Sequence, residues 1–178
     1  LTSPFVGLFG LSMFTARLPF AIAGILSVLL LFGIVHTLIK EKTIAFFSAL
    51  ILAFSVWHLQ LSRFAYEGSI ALFFYLLATY CFINVKREKY VLLVLSLVSF
   101  ILAFYSYSGY KLTFIPVILT LVWYKWKDLT IKQFAAVGCA IIFAFGSLFY
   151  LGKTQGALEY GGNLFFFQDK PAIELAVE

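Results

Sequence analysis

LPFAIAGILSVLLLFGIVHTLI, Leu18 to Ile39, is the stretch that decides the fold. It runs 22 residues without Asp, Glu, Lys or Arg, and about 20 apolar residues suffice to cross a bilayer as a helix. It does not stand alone. Thr43–Ser62 (20 residues), Gly68–Val85 (18), Tyr90–Tyr110 (21) and Gln133–Gly152 (20) are equally free of charge. Leu112–Tyr124 has only 13, but Tyr90–Tyr124 carries the single charge Lys111 in 35 residues. Two short helices with a turn at Ser106-Tyr107-Ser108-Gly109 fit that stretch, with Lys111 snorkelling to the interface. The pattern predicts an all-α, polytopic membrane protein of about six transmembrane helices.

Composition points the same way. Of 178 residues, 63% are hydrophobic, 12% are charged and 22 are Phe. The mean hydropathy is +1.01. Soluble domains run near roughly 45–50% apolar and 25% charged. Thirteen basic and 8 acidic side chains are too few to coat a soluble protein of this length. Disorder is excluded too, because disordered chains are charge-rich and aromatic-poor. Cys81 and Cys139 lie in apolar runs, read as buried small hydrophobes, and no metal-type Cys/His spacing exists.

The ends predict a piece of a longer chain. Leu1 is not Met, and no basic segment precedes the first apolar stretch, so residues 1–17 do not resemble a signal peptide. Residues 1–152 read as the transmembrane domain. Residues 153–178 read as an outer loop or the start of the next segment, with Leu164-Phe165-Phe166-Phe167 dipping into the interface.

Lys and Arg in short loops set orientation. Lys40-Glu41-Lys42, Lys86-Arg87-Glu88-Lys89 and Lys125 to Lys132 hold eight basic residues; Arg17, Arg63, Lys111, Lys153 and Lys170 lie on the other side. The first set is therefore cytoplasmic. Its net charge accounts for the whole formal +5 of the chain. The basic balance thus reports topology, and no nucleic-acid partner is implied. Trp57, Tyr66, Tyr90, Trp123, Tyr124, Trp126 and Tyr150 form the aromatic belt of a polytopic protein.

The scattered outer charges are the candidates for chemistry. His58-Leu59-Gln60-Leu61-Ser62-Arg63-Phe64-Ala65-Tyr66-Glu67 reads as an outer loop with an acid and a cation four residues apart. Ionisable groups at membrane depth tend to be functional. The bland reading is a charge pair that solvates the loop, with Glu67 favourable at a helix N-terminus. Arg17 precedes Pro19, a residue suited to a helix's first turn, and doubles as an interface anchor. Tyr105-Ser106-Tyr107-Ser108-Gly109-Tyr110-Lys111 reads as a polar rim or as aromatic belt with a snorkelling lysine. His36 is interfacial.

Phe9-Gly10-Leu11-Ser12-Met13-Phe14-Thr15-Ala16-Arg17-Leu18-Pro19, continuing to Ala23-Gly24, resembles a pattern of membrane glycosyltransferases. The family is the polyprenyl-phosphate-mannose protein mannosyltransferase and aminoarabinose transferase type, with the GT-C fold. Ser62-Arg63-Phe64-Ala65-Tyr66-Glu67 with Leu72-Phe73-Phe74 resembles the family's second acidic loop, and Tyr105 to Pro116 a later Tyr-Ser…Pro segment. The three occur in the family's order over residues 7–120.

The resemblance implies transfer of a sugar from a polyprenyl-phosphate-linked donor to a lipid or protein acceptor on the outer face of the membrane. It places the chain in the membrane, the bacterial cytoplasmic membrane in this reading. It casts Arg17, Arg63, Glu67, Tyr107, Tyr110 and Lys111 as substrate-binding residues. It puts the main catalytic acid in a first outer loop; since no acidic residue precedes Glu41, that acid is expected upstream of Leu1, and no catalytic residue is assigned within this chain. Glu67 is the single candidate metal ligand. One carboxylate supplies too few oxygens for a divalent ion, so a metal cofactor is left open. The competing reading is a transporter or flippase segment for a lipid-linked or anionic solute, with Arg63 and Glu67 lining the path. The chain shows no inverted repeat of the kind such folds carry.

Overall fold

The computed structural model describes residues 7, 10, 12–64, 66–86, 90–107 and 109–155, and among them every regular element except an isolated bridge residue is helical. In chain order these are α1 (Met13–Ile39), α2 (Lys42–Phe54), α3 (Val56–Arg63), α4 (Glu67–Ile83), α5 (Tyr90–Ser106), α6 (Gly109–Tyr124) and α7 (Ile131–Gln155). Each charge-free run of the sequence has become helix. The expected Ser106–Gly109 turn separates α5 from α6. The Leu164–Phe167 segment lies outside the described residues.

Among the described residues α1 is the one helix long and apolar enough by length and composition to cross a membrane, and α2 with α3 passes as one bent span. That bend corrects the reading of Thr43–Ser62 as one uninterrupted run. The axis turns by 56° at Ser55, whose backbone is extended (φ −61°, ψ 123°). The helical ladder is interrupted there, and Ser55 N–H bonds to Leu52 O at 3.1 Å instead. A second correction concerns the start of α1. It begins at Met13, not near Leu18, because Ser12 caps it: its Oγ accepts from Thr15 N–H at 3.1 Å. Pro19 thus sits within the helix, and Arg17 lies a full turn inside it.

The chain divides into two compact units, Leu1–Val137 and Gly138–Glu178. In the first, α4 packs against α1 and α5, and also meets α3 and α6. Small residues on α4 (Gly68, Ser69, Ala71, Ala78) are buried and permit close approach. Phe20, Ala23 and Ile70 form a core between α1 and α4, and Gly33 faces the Tyr80 ring further along. Ser96 Oγ donates to Ala78 O at 2.8 Å, tying α5 to α4. Phe100, Phe104 and Phe114 interlock α5 with α6. Several hydroxyls inside the apolar helices donate to the carbonyl four residues back, as Ser27 does to Ala23 O at 2.8 Å. The second unit holds, among the described residues, the remainder of α7. Cys81 is buried but Cys139 is exposed, which corrects its reading as a buried hydrophobe.

The ends of the first unit are chemically distinct. At one end Gln133 is fully buried; its Oε1 accepts from Thr130 N–H at 2.8 Å and its Nε2 donates to Lys86 O at 3.3 Å. Thr130-x-x-Gln133 is half of a capping box that also grips the chain after α4. Lys125 Nζ reaches Val85 O (3.4 Å) and Asp128 Oδ2 (3.3 Å) beside it. Val85 and Lys86 are thus held against the 125–132 loop, which the charge pattern expects on the same membrane face. The opposite end carries Arg17, Arg63, Tyr66 and Tyr107.

Candidate functional site

The site begins with the break at Ser55. Turning the chain there lays α3 across α1, and the two helices meet at Gly24. A Cβ on Gly24 would collide with Ser62 Oγ and stand 3.0 Å from Ser62 Cβ, so the residue has to be glycine for α3 to come this close. His58, buried within the contact, places Nε2 3.2 Å from Gly24 O; an N–H there donates to the carbonyl. Ser62 Oγ donates to His58 O at 2.8 Å, which fixes the hydroxyl against α1.

Beside this contact lies a cavity of about 480 Å³, lined on α1 by Phe14, Arg17, Ala21 and Gly24 and on α3 by His58, Ser62 and Arg63. Arg17 and Arg63, 46 positions apart in sequence, therefore face one space. Both are exposed. Among the described residues an ion pair joins Lys125 to Asp128, and neither arginine has one. Two forked guanidinium groups without a carboxylate, over a largely apolar groove, suit a phosphate better than a protein partner.

On the other side of α3 is a second cavity of about 430 Å³, lined by Trp57, Gln60, Leu61, Phe64, Tyr66, Gly68 and Tyr107. Tyr66 and Tyr107 meet edge to face with ring centroids 5.7 Å apart. The hydrogen bond to Tyr107 holds the Tyr66 phenol above its ordinary pKa, with the electrostatic effect of the same neighbour next in weight.

The residues expected to bind substrate thus divide. Arg17 and Arg63 come together, and Tyr107 joins Tyr66 in the neighbouring cavity. Glu67 is the exposed first residue of α4; it makes no ion pair with Arg63 and lines neither cavity. Among the described residues no three His, Cys, Asp or Glu side chains gather, so Glu67 has no companion ligands there. Tyr110 and Lys111 lie in the first turn of α6 by backbone, and their side chains lie outside what the structure describes. The stretch from His58 to Glu67 is mostly helix, not loop: Arg63 ends α3, and only 64–66 connect it to α4. His58, Ser62, Gly24, Trp57 and Gln60 line the two cavities without a charge that marks them in the sequence. The helical spacing His58–Ser62, opposite Trp57–Gln60–Phe64, was the available signal.

Among the described residues the regular structure is helical, with one long apolar helix and two arginines facing one groove. The profile of the dolichyl-phosphate-mannose-protein mannosyltransferase family matches residues 1–150, and the chain belongs to that family. It is thereby a member of a family of glycosyltransferases. Neither a curated protein nor a solved structure matches the chain.

Proposed function

We propose that this chain is the membrane part of a GT-C-type transferase that passes a sugar, mannose in the first instance, from a polyprenyl-phosphate carrier to an acceptor on the outer face. The observation that carries the reading is the convergence of Arg17 and Arg63, from different helices, on one cavity without a carboxylate partner. When the sugar leaves, negative charge grows on the carrier phosphate. Preorganised guanidinium donors at the groove lower that barrier. The apolar floor of the groove (Leu18, Ile25, Val28) suits the first units of the lipid chain. The acceptor hydroxyl needs a base as it attacks. Glu67 stands at the same end of the bundle, and α6 starts there with Tyr110 and Lys111 in its first turn; we assign these residues to acceptor or sugar.

The six-span topology belongs to this proposal. Helices α4, α5 and α6, at 16–17 residues, measure about 25 Å. That falls slightly short of a core of about 30 Å. Flanking residues and local thinning make up such a mismatch. The eight basic residues of the 40–42, 86–89 and 125–132 segments favour the cytoplasm for their end, which turns the arginines outward. In this reading the membrane domain runs through residue 152, and 153–178 form an outer loop or open the next segment. The break at Ser55 is of a kind transporters use, but family membership favours transfer over transport.

Binding of a polyprenyl-phosphate-mannose donor tests the proposal. Arg17→Gln and Arg63→Gln should each raise the donor requirement about 10- to 100-fold, as expected for a lost charged hydrogen bond of about 1.5–3 kcal/mol. Unchanged donor dependence in both variants would contradict it.

A further inference from the structure

The end of the bundle opposite the arginine groove collects the basic segments. Helices α1 and α4 run side by side in one direction, with Ala23 packed near Ile70 and Gly33 at the Tyr80 ring. Lys40 after α1 and Val85 after α4 therefore lie at the same end. Lys125 and Gln133 donate to Val85 O and Lys86 O, which brings the 125–132 loop there too. The segments 40–42, 86–89 and 125–132 hold eight basic against three acidic residues, and the rest of the chain is neutral overall. At this end a cleft of about 620 Å³ is lined by Trp123, Tyr124, Trp126, Lys127 and Asp128. We infer that the cleft is a site for an anionic phospholipid, with the phosphate at Lys127 and the glycerol and upper acyl chains against the two indoles. The inference needs only that the chain sits in a bilayer and is independent of sugar transfer.

Charge and aromatic placement together select this occupant. Asp128, the single acid of the loop, lies 3.3 Å from Lys125, and the loop's three lysines outweigh it. The field at the cleft is therefore positive, and basic segments at a membrane surface attract anionic lipid. A lysine serves a phosphate as a point charge. Trp123 and Trp126 are 80% and 64% exposed. An indole fits the headgroup level, with its apolar body toward the chains and its N–H toward water. Rings alone would serve a choline headgroup as well, through cation–π attraction. The lysines turn the choice toward a lipid of net negative charge.

The cleft is also held in shape. Leu129 is buried, Trp126 meets the Phe134 ring edge to face at 5.1 Å, and Gln133 grips Lys86 O. Groups already fixed lose less freedom when a ligand arrives. Binding here should therefore be saturable and should depend on the loop's own lysine more than on Lys40 and Lys42, which share the end but do not line the cleft.

The test places the chain in nanodiscs of phosphatidylcholine, in a Trp57→Phe background, so that Trp123 and Trp126 report. Phosphatidylglycerol or phosphatidylcholine with brominated acyl chains is added at equal mole fraction, and the quenching gives their relative affinity. Phosphatidylglycerol should quench saturably and be preferred at least about 5-fold, the worth of one lysine at a membrane surface. Lys127→Gln should remove most of that preference, and Lys127→Arg should keep it. Arg63→Gln, at the other end, should leave it unchanged. Equal quenching by the two lipids, or stronger quenching by phosphatidylcholine, would overturn the assignment. So would a preference lowered as much by Lys40→Gln/Lys42→Gln as by Lys127→Gln, which would make it the general field of that end. Inorganic phosphate that abolishes the preference at constant ionic strength would overturn it as well, in favour of a site for the free anion.

Discussion

The Nε2 atom of His58 lies 3.2 Å from the carbonyl oxygen of Gly24, and that contact sets how closely α3 lies on α1. His58→Leu keeps an apolar body in the contact but removes the donor. A loss of about 0.5–1.5 kcal/mol is expected, the net worth of one intramolecular hydrogen bond. It should appear as a lowered melting midpoint of the detergent-solubilised chain. An unchanged midpoint would show that the helices are held by packing alone.

Gly24→Ala should cost more. The new methyl meets the Ser62 side chain, and forcing extra volume into a packed contact costs about 1–3 kcal/mol. Because the displaced helix carries Arg63, donor binding should weaken along with stability. Adding Ser62→Ala should restore part of both, since the closest atom to the intruding methyl is Ser62 Oγ. A Gly24→Ala chain as stable as the parent would mean that α3 has room to spare.

Much of this fold was legible from the charge-free runs, because a bilayer demands length and apolarity above all. Every run became helix, and the turn between α5 and α6 fell at its Ser/Gly cluster. The break at Ser55 was not legible. Phe54-Ser55-Val56 contains no Pro or Gly, and hydropathy is blind to a change of axis. For the same reason hydropathy marks Arg63 as a loop residue although it ends a helix. The start of α1 escapes hydropathy because the Ser12 cap lies before the charge-free run. Arg17 and Arg63 were identified singly, by charge and motif; their meeting over Gly24 depends on the bend and could not be read from spacing. Glu67 was legible as an acid at a helix start, and that is where it stands.

At the opposite end, Gln133 is the residue on which the arrangement of the loops turns. Gln133→Leu would leave Thr130 N–H and Lys86 O without their buried partner. A loss of about 1–3 kcal/mol is expected. Donor binding per folded molecule should be unaffected, because this contact lies at the far end from the arginine groove. Weakened binding with unchanged stability would place Gln133 in the mechanism instead.

Topology is open to a direct check. Tyr66 and Lys127 are both exposed and belong to opposite ends of the bundle. In intact cells a cysteine replacing Tyr66 should react with a membrane-impermeant maleimide, in a background lacking Cys81 and Cys139. One replacing Lys127 should react only after permeabilisation. The reverse pattern would invert the orientation.

The central claim is that Arg17 and Arg63 hold one phosphate together. A double-mutant cycle on the affinity for a short-chain polyprenyl phosphate measures this most directly, with Arg17→Gln, Arg63→Gln and the pair compared to the parent chain. If both guanidinium groups grip the same phosphate, the effects should be non-additive, with a coupling of about 0.5–3 kcal/mol. Strictly additive effects, or affinity untouched by either change, would contradict a shared phosphate site.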